Sequence, residues 1–318
     1  IRECPVKAIR VENHAAWVMT ELCIACGHCV NICPVGAKKY RDDLQRAKRL
    51  LASGKKVIAS LAPSFVSEFA GVPAETIIAA IKKLGFAGVS ETALGAEEVS
   101  AATAKLLESS EGGVYVSSAC PTVVELISKY YSEHTVNITP LMSPVLAHCR
   151  LLRKEYGNDI GIVFISPCIA KKTEADKNRD ILDISIVFDD LRRWFADENI
   201  DIAKIAPDEE DVFIPYPAKE GALYPLEGGM VDGIKAFNAP SDVHYITFSG
   251  MESIKTAMSG LSEPVGNAKV FIEALACEGG CINGPKVAKP GATIGKRLAV
   301  ETYTVRSENE PEKRLDAI

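Results

Sequence analysis

The chain has 318 residues, a formal net charge of −6 and an apolar fraction of 47%. This length predicts about two domains, and the apolar fraction is sufficient for sizeable cores. The acidic balance disfavours binding to nucleic acid, which needs concentrated Lys and Arg. No apolar run approaches the roughly 20 residues that span a bilayer, and the N-terminus does not resemble a signal peptide, so we expect a cytoplasmic protein without a membrane segment.

The first part of the chain carries five of the ten cysteines, clustered with metal-ligand spacing: Cys4, Cys23, Cys26, Cys29 and Cys33. The last four follow the pattern C-x2-C-x2-C-x3-C-P of bacterial ferredoxins, in which the fourth cysteine of each motif serves the other cluster. We therefore expect Cys4 to complete one 4Fe-4S cluster with the first three cysteines of this pattern. A structural zinc site is the alternative, and the specific spacing argues against it.

Cys33 is left without partners by this assignment. Its partners would be three cysteines of an upstream motif, and the spacing to Cys4 would place the last of them immediately before Ile1. The sequence therefore predicts that an N-terminal part is missing and that Cys33 would serve a further 4Fe-4S cluster with it. The charged residues from Ser307 onward predict a linker or a solvated tail.

Beyond a helical connector at 42–53, apolar runs alternate with amphipathic segments, which predicts an α/β fold. Strands are predicted at 57–62, 113–116, 160–165, 184–188, 244–248 and 269–275. Helices are predicted at 74–84, 95–108, 123–131, 144–156, 189–196 and 253–258. Residues 206–242 are rich in Pro, Gly and charge, and we expect loops there around a short helix start at Gly228 and Gly229.

Four further cysteines follow the ends of predicted strands: Cys120, Cys168, Cys277 and Cys281. Ligands of open α/β sheets gather at the carboxyl ends of strands, so four thiolates can converge there. Four thiolates suit a 4Fe-4S cluster, whereas catalytic zinc has three protein ligands and an open position. Buried core thiols are the alternative, because free cysteine is often buried. Gly279 and Gly280 are expected to let the backbone approach a bulky cofactor.

Three segments resemble the signature loops of the FeFe hydrogenases in order, spacing and strand context. Residues 117–121 read Ser-Ser-Ala-Cys-Pro, residues 166–174 read Ser-Pro-Cys-Ile-Ala-Lys-Lys-Thr-Glu, and residues 276–284 read Ala-Cys-Glu-Gly-Gly-Cys-Ile-Asn-Gly. The resemblance covers essentially the whole chain. It implies a small ferredoxin-like α+β iron-sulfur domain over residues 1–52 and a two-lobed α/β H-domain over residues 53–318.

The resemblance also implies an H-cluster between the two lobes. A 4Fe-4S cubane would be held by the second cysteine group, and Cys281 would bridge it to a diiron unit carrying CO, cyanide and a dithiolate. Lys171 stands where the family's Lys donates to an iron cyanide, which would be a charge-assisted hydrogen bond. Pro63 and Ser64 match the segment whose backbone N–H donates to the other cyanide.

The proton path of the family is interrupted in this sequence. The family's proton-donating cysteine, directly before the first ligand, is replaced by Ala119, which follows Ser118. A methyl group cannot donate a proton, and losing a positioned acid typically slows a reaction about 10²- to 10⁴-fold. Glu98 is expected to preserve a fragment of the path.

Further departures concern residues expected around the diiron unit. Ser166, before Pro167, and Leu275 stand where the family has Met, and Val145 stands where it has Gln. The whole set of changes resembles the hydrogen-sensing FeFe hydrogenases. The resemblance implies slow, reversible splitting of H2 or reduction of protons.

The partners implied are H2 and protons, a redox carrier such as ferredoxin or a signalling module, hydrogenase maturation proteins and a second copy of the chain. The alternative function is a hydrogenase-like iron-sulfur assembly or scaffold protein without the diiron unit. A plain electron-transfer subunit would leave the three strand-end loops unexplained.

Overall fold

The computed structural model describes residues 2–262, 266–288 and 293–309. Its strands are β1 (Ile9–Glu12), β2 (Ala15–Val18), β3 (Val57–Leu61), β4 (Gly88–Glu91), β5 (Gly113–Val116), β6 (Gly161–Ser166), β7 (Ile184–Val187), β8 (Val243–Ser249) and β9 (Lys269–Leu275). Its α-helices are α1 (His28–Asn31), α2 (Leu44–Leu51), α3 (Phe65–Glu68), α4 (Ala74–Lys83), α5 (Ala93–Ser109), α6 (Pro121–Tyr130), α7 (Pro144–Tyr156), α8 (Ala170–Lys177), α9 (Phe188–Asp197), α10 (Gly229–Ala236), α11 (Met251–Gly260) and α12 (Thr293–Asn309). Short 3₁₀ turns lie at Ser132–Asn137, Ile202–Lys204, Glu220–Leu223 and Cys281–Asn283.

A four-stranded parallel sheet in the order β4-β3-β6-β7 forms the larger of two lobes. Every residue of β3 and of β6 is buried, because helices cover the sheet and leave these strands no solvated face. Helices α2 and α9 pack against β6 and β7, α4 packs against β4, and α7 packs against β3. The continuous apolar runs seen in the sequence are therefore central strands of this sheet.

A three-stranded parallel sheet in the order β5-β9-β8 forms the second lobe. Val123, Leu126 and Ile127 of α6 share one core with Ile254 and Met258 of α11. A separate core joins α5 and α10 to the same sheet through buried Phe271 of β9. Helices thus cover this sheet as well, as expected for an α/β fold.

The N-terminal unit is small and packs directly against the second lobe. Strands β1 and β2 form an antiparallel hairpin, and Cys4, Ala8 and Ile9 form its own core. Ile24, 1% exposed, belongs to the core of the three-stranded sheet. The division at residue 52 stays a prediction; the connector helix α2 packs its buried Leu44 into the core of the four-stranded sheet.

The structure confirms the α/β fold expected from the sequence, with differences at individual elements. The predicted strands and helices are present, and β1, β2, β4, α1, α3, α8 and α12 were not predicted. The tail predicted from Ser307 is helical through Asn309, and residues 310–318 lie outside the described residues. Across the part of the chain that is described, no helix is both long and apolar enough to cross a membrane.

Candidate metal centre

Cysteine-bearing loops leave the carboxyl ends of strands in both sheets. Cys120 follows β5 and Cys277 follows β9 in the three-stranded sheet, while Cys168 follows β6 in the four-stranded sheet. Two of the loops are shaped by serine. The Ser117 hydroxyl accepts the Ala119 N–H at 3.2 Å, and the Ser166 hydroxyl accepts the Cys168 N–H at 3.2 Å. Such local bonds stabilise a turn in place of a continued strand.

All four cysteines of the second group line one cavity between the lobes, with a volume of about 110 Å³. A cavity needs roughly 10 to 15 Å³ by the same measure to hold one water, so this one has room for a much larger group. Other predicted residues line it as well: Pro63, Ser64, Ala119, Val145, Ser166, Pro167, Lys171 and Leu275. The structure therefore brings together residues from four strand ends that are distant in the chain.

The electrostatics of these thiols fit a cluster of thiolate ligands. Burial and then the neighbouring cysteines raise the pKa of Cys168 to about 11, and they also raise the pKa values of Cys277 and Cys281. Without metal, these sulfurs are therefore held protonated. Bound iron reverses this, because thiolate ligands give up their protons on binding. The donor set suits an iron-sulfur cluster.

In the described residues, no three His, Cys, Asp or Glu side chains are arranged to hold a single metal ion. A 4Fe-4S cubane presents a separate iron to each cysteine, so its four ligands need not converge on one point. The convergence of the cysteines on a shared cavity is therefore the relevant observation for this cofactor.

Lys171 places an ammonium group at the wall of the cavity. Its side chain is 10% exposed, and its Nζ lies 2.5 Å from a carboxylate oxygen of Glu174. The same Nζ donates to the Ala119 carbonyl at 3.4 Å. Its positive charge lowers the pKa of the Cys168 and Cys281 thiols, against the larger effect of burial. The group is well placed to donate to an anion in the cavity.

The segment after β3 supplies a second polar group. Ser64 is 1% exposed, and its hydroxyl has no hydrogen-bond partner within the described structure. A buried polar group without a partner is unusual and indicates a missing ligand or water. Ser118 differs, because its hydroxyl donates to the Leu141 carbonyl at 2.8 Å and it does not line the cavity.

Glu98 does not line the cavity, and its place on a proton path stays a prediction. Its side chain is exposed on α5. The preceding residue, Glu97, points instead to the turn at 219–221 and accepts the Gly221 N–H at 3.4 Å. Successive residues of an α-helix point about 100° apart. Glu97 and Glu98 therefore lie on different faces of α5.

Glu273 lines the cavity and was missed by the sequence analysis. It is 1% exposed, and its carboxylate accepts the Gly228 N–H at 3.2 Å and the Val231 N–H at 3.1 Å, at the start of α10. Burial raises its pKa to about 7 against the opposing effect of these bonds. The sequence feature that could have indicated Glu273 is that it is the one carboxylate within the otherwise apolar run of β9.

Tyr224 lies beside Glu273 at the same wall. Its hydroxyl is 2.9 Å from the Ser100 hydroxyl, and burial is the main cause of its raised pKa. The charges of Glu273 and Glu97 raise that pKa further, which places Tyr224 near both carboxylates. These groups form a buried polar region leading from the cavity towards α5.

The glycine pair of the third loop is required by the backbone of that loop, and its role in letting the backbone approach a cofactor stays a prediction. Gly279 has a φ of 71° and Gly280 a φ of 102°, a region that L side chains rarely adopt. A Cβ at Gly280 would lie 2.3 Å from the Pro225 carbonyl oxygen. The close neighbour of this glycine is therefore protein backbone.

The N-terminal cysteines form a second group. Cys26 and Cys29 each have a pKa raised first by burial and then by neighbouring thiols, and Cys4 and Cys23 are among those neighbours in both cases. Cys33 differs from them, because it is partly exposed and the backbone N–H of Ala37 lowers its pKa, with no neighbouring thiol among the main causes. Cys26 also lines the cavity that holds the second cysteine group.

Two family models match the chain. The model for the "Iron only hydrogenase large subunit, C-terminal domain" matches residues 55–285, and the model for the "4Fe-4S binding domain" matches residues 16–39. The first match covers both lobes and every cysteine of the second group. The second match covers the C-x2-C-x2-C-x3-C pattern of the N-terminal unit.

Similar proteins include Iron hydrogenase 1 of Clostridium pasteurianum, 27% identical over 307 residues, covering 79% of this chain and 53% of that protein. The NADP-reducing hydrogenase subunit HndD of Solidesulfovibrio fructosivorans is 27% identical over 326 residues, covering 83% of this chain and 55% of that protein. The chain thus spans about half the length of these relatives.

Among solved structures, a variant of the FeFe-hydrogenase HydA1 from Chlamydomonas reinhardtii superposes with a TM-score of 0.61 at 19% identity, covering 82% of this chain and 88% of that one. A second FeFe-hydrogenase structure, whose description names the 2Fe subcluster of the H cluster, gives a TM-score of 0.63 at 17% identity and covers 86% and 91%. At these identities the similarity concerns the fold.

Proposed function

Because the chain belongs to the iron-only hydrogenase large-subunit family, we propose that it is an FeFe hydrogenase-like protein that reversibly splits H2 or reduces protons, with slow turnover and a role in sensing H2. The observation that carries this proposal is the cavity between the lobes, which Cys120, Cys168, Cys277 and Cys281 line together with Lys171. A protein that only transfers electrons needs the ligands of its clusters. It has no need of an ammonium group in the wall of a cavity beside them.

The four cysteines are the proposed ligands of a 4Fe-4S cubane, and Cys281 is the proposed bridge to a diiron unit. When bound, that unit supplies an iron centre at which H2 is cleaved heterolytically or formed. The cavity wall is mainly apolar, including Val145, Leu275 and Pro167. Such a wall excludes water and strengthens the electrostatic interactions within it.

Two polar groups are proposed to orient anionic ligands of the diiron unit. The Lys171 ammonium would donate a charge-assisted hydrogen bond into the cavity, while its ion pair with Glu174 holds the same ammonium in place. The segment Pro63-Ser64 would donate on the other side, where the Ser64 hydroxyl has no partner within the described structure. Outer groups of this kind fix both the geometry and the potential of a metal site.

Slow turnover follows from the proton-handling groups. The Ala119 methyl cannot exchange protons, so the acid expected beside the diiron unit is absent. Glu273 is the alternative, because its carboxyl lines the cavity and its pKa of about 7 allows it to hold or release a proton near neutral pH. Tyr224 and Ser100 extend the polar region behind it.

Electrons would leave through the N-terminal cluster, whose proposed ligand Cys26 lines the same cavity. The proposed acceptors are a redox carrier such as ferredoxin or a signalling module, and maturation proteins would supply the diiron unit. A scaffold protein without that unit is the second candidate. It is favoured by Ala119, Ser166 and Leu275, which replace three residues expected next to the diiron unit.

Infrared spectra of protein matured with hydrogenase maturation factors test the proposal. We expect stretching bands of iron-bound CO and cyanide, together with an iron content that exceeds that of the cubanes alone and a sulfide content that does not. Protein produced without maturation factors is the control and should lack the bands. If matured protein has its full cubane content and shows no such bands, the hydrogenase proposal is refuted and the scaffold function is the one that remains.

A further inference from the structure

Lys172, directly after the cavity residue Lys171, points away from the cavity into a buried ion network. Its side chain is 4% exposed, and its Nζ lies 2.9 Å from a carboxylate oxygen of Asp190 and 3.3 Å from one of Asp43. Both carboxylates are fully buried. Buried charges persist in a fold only when they are paired, so this network fixes the relative positions of α8, α9 and the connector.

Tyr40 closes the network from the side of the N-terminal unit. Its hydroxyl donates to Asp189 at 2.9 Å or to Asp190 at 3.1 Å. The Nζ of Lys172 lies 5.3 Å from the centre of its ring, and the Nζ of Lys286 lies 4.6 Å from it. Lys286 follows Pro285, which lines the cavity. One aromatic ring therefore contacts cations from two of the loops that build the site.

The outer clasp is the group formed by Tyr40, Asp43, Lys172 and Asp190. Lys171 and Lys172 both lie in the first turn of α8, where successive side chains point about 100° apart. The ion pairs of Lys172 fix how the first turn of α8 is rotated about the helix axis. In this orientation the side chain of Lys171 points to the cavity. Because α8 has eight residues and its buried side chains include two lysines, apolar packing does little to fix it.

We propose that the outer clasp is a positioning device for the Lys171 ammonium, through which the connector after the N-terminal unit controls the electrostatic environment of the cubane. This inference rests on the proposed cubane of Cys120, Cys168, Cys277 and Cys281. A cation held near the cluster favours its reduced, more negative form and so raises its reduction potential. Loosening the clasp therefore lowers that potential.

The test is a redox titration, followed by electron paramagnetic resonance, of the full chain reconstituted with iron and sulfide and lacking the diiron unit. Lys171→Met serves as the reference, because its downward shift in midpoint potential identifies the transition of the cavity cubane. Lys172→Met should shift the same transition downward. Tyr40→Phe, which keeps every ion pair of the clasp, should shift it in the same direction by less.

Lys177→Met is the matched control, since it removes the same charge from an exposed position of α8 that pairs with Glu125. It should leave the potential unchanged. A Lys172→Met protein with full cubane content and an unshifted potential overturns the clasp while leaving the proposed function intact. If Lys171→Met does not shift the potential, the Lys171 ammonium does not influence the cluster. That result would refute the proposed role of the outer clasp as well. If Lys172→Met fails to fold, Tyr40→Phe decides: a downward shift supports the clasp, and no shift refutes it.

Discussion

Ala119 lines the cavity directly before the proposed ligand Cys120, and its own carbonyl accepts from Lys171. If the diiron unit is present and proton delivery limits turnover, Ala119→Cys should raise the rate of H2 oxidation. The expected gain lies within about 10²- to 10⁴-fold, the usual effect of a positioned acid. Ala119→Ser is the control, because a hydroxyl of similar size is a much weaker acid. Equal rates for parent and Ala119→Cys, at full CO and cyanide band intensity, would refute the proton-relay explanation.

Glu273 is predicted to make stability depend on pH. Its folded-state pKa of about 7 is raised above the ordinary 4.5, so its contribution to stability is complete below pH 4.5 and is lost as pH rises through 7. In Glu273→Gln the side chain at this position does not titrate, so the variant does not lose this contribution to stability as pH rises. From pH 5 to pH 8, the free energy of unfolding of the parent should fall relative to the variant by roughly 2 to 3 kcal/mol, measured by urea unfolding. A constant difference between the two proteins across this range would contradict the assignment.

Helices α5 and α7 cross at Gly95, where no side chain fits. A Cβ there would lie 2.2 Å from the Pro144 carbonyl oxygen and 2.5 Å from the His148 nitrogen. Gly95→Ala must therefore separate the helices, and it should destabilise the protein by about 1 to 3 kcal/mol or more. Gly260→Ala, at the end of α11 with open space around it, should be neutral or slightly stabilising. If Gly95→Ala and Gly260→Ala unfold thermally at similar midpoints, α5 and α7 do not pack as closely at Gly95 as described.

The strands that the sequence predicted most directly are the central ones of the four-stranded sheet. β3 and β6 appear as uninterrupted apolar runs because both of their faces are covered. The hairpin of β1 and β2 was missed because its residues after Ile9 are exposed, which removes the alternation. Helix α8 was missed because it is polar and is held by ion pairs.

The site could be predicted from the sequence as far as its cysteine loops, because ligand spacing and strand ends are local features. The structure adds groups whose meaning depends on tertiary neighbours. Glu273 becomes a cavity residue only through the pairing of β9 with β5 and β8. Tyr40 and Lys172 are 132 residues apart in the sequence, and their contact follows from the way the connector packs on the larger lobe.

At the scale of the whole molecule, the N-terminal unit depends on its cluster and on the second lobe. Its own core contains three buried residues, too few to stabilise an isolated fold. Gly27 of its cluster loop passes so close to the second and third loops that a Cβ would lie 2.7 Å from Pro285 and 2.8 Å from Ile169. The Tyr130 hydroxyl donates to the Leu22 carbonyl at 2.7 Å. The cluster loop is thus fitted to the surface above the cavity.

Removing iron should therefore affect the two parts of the chain unequally. After chelation, amide hydrogen exchange in residues 2–33 should become fast, because metal binding supplies much of the folding free energy of so small a unit. The four-stranded sheet has its own large core and should stay protected. Cys29→Ser should produce the same pattern without chelation. Cys33→Ser should leave the protection of this segment unchanged, since Cys33 is not among the four proposed ligands of this cluster. Slow exchange in residues 2–33 after complete loss of iron would mean that packing on the second lobe alone holds this unit.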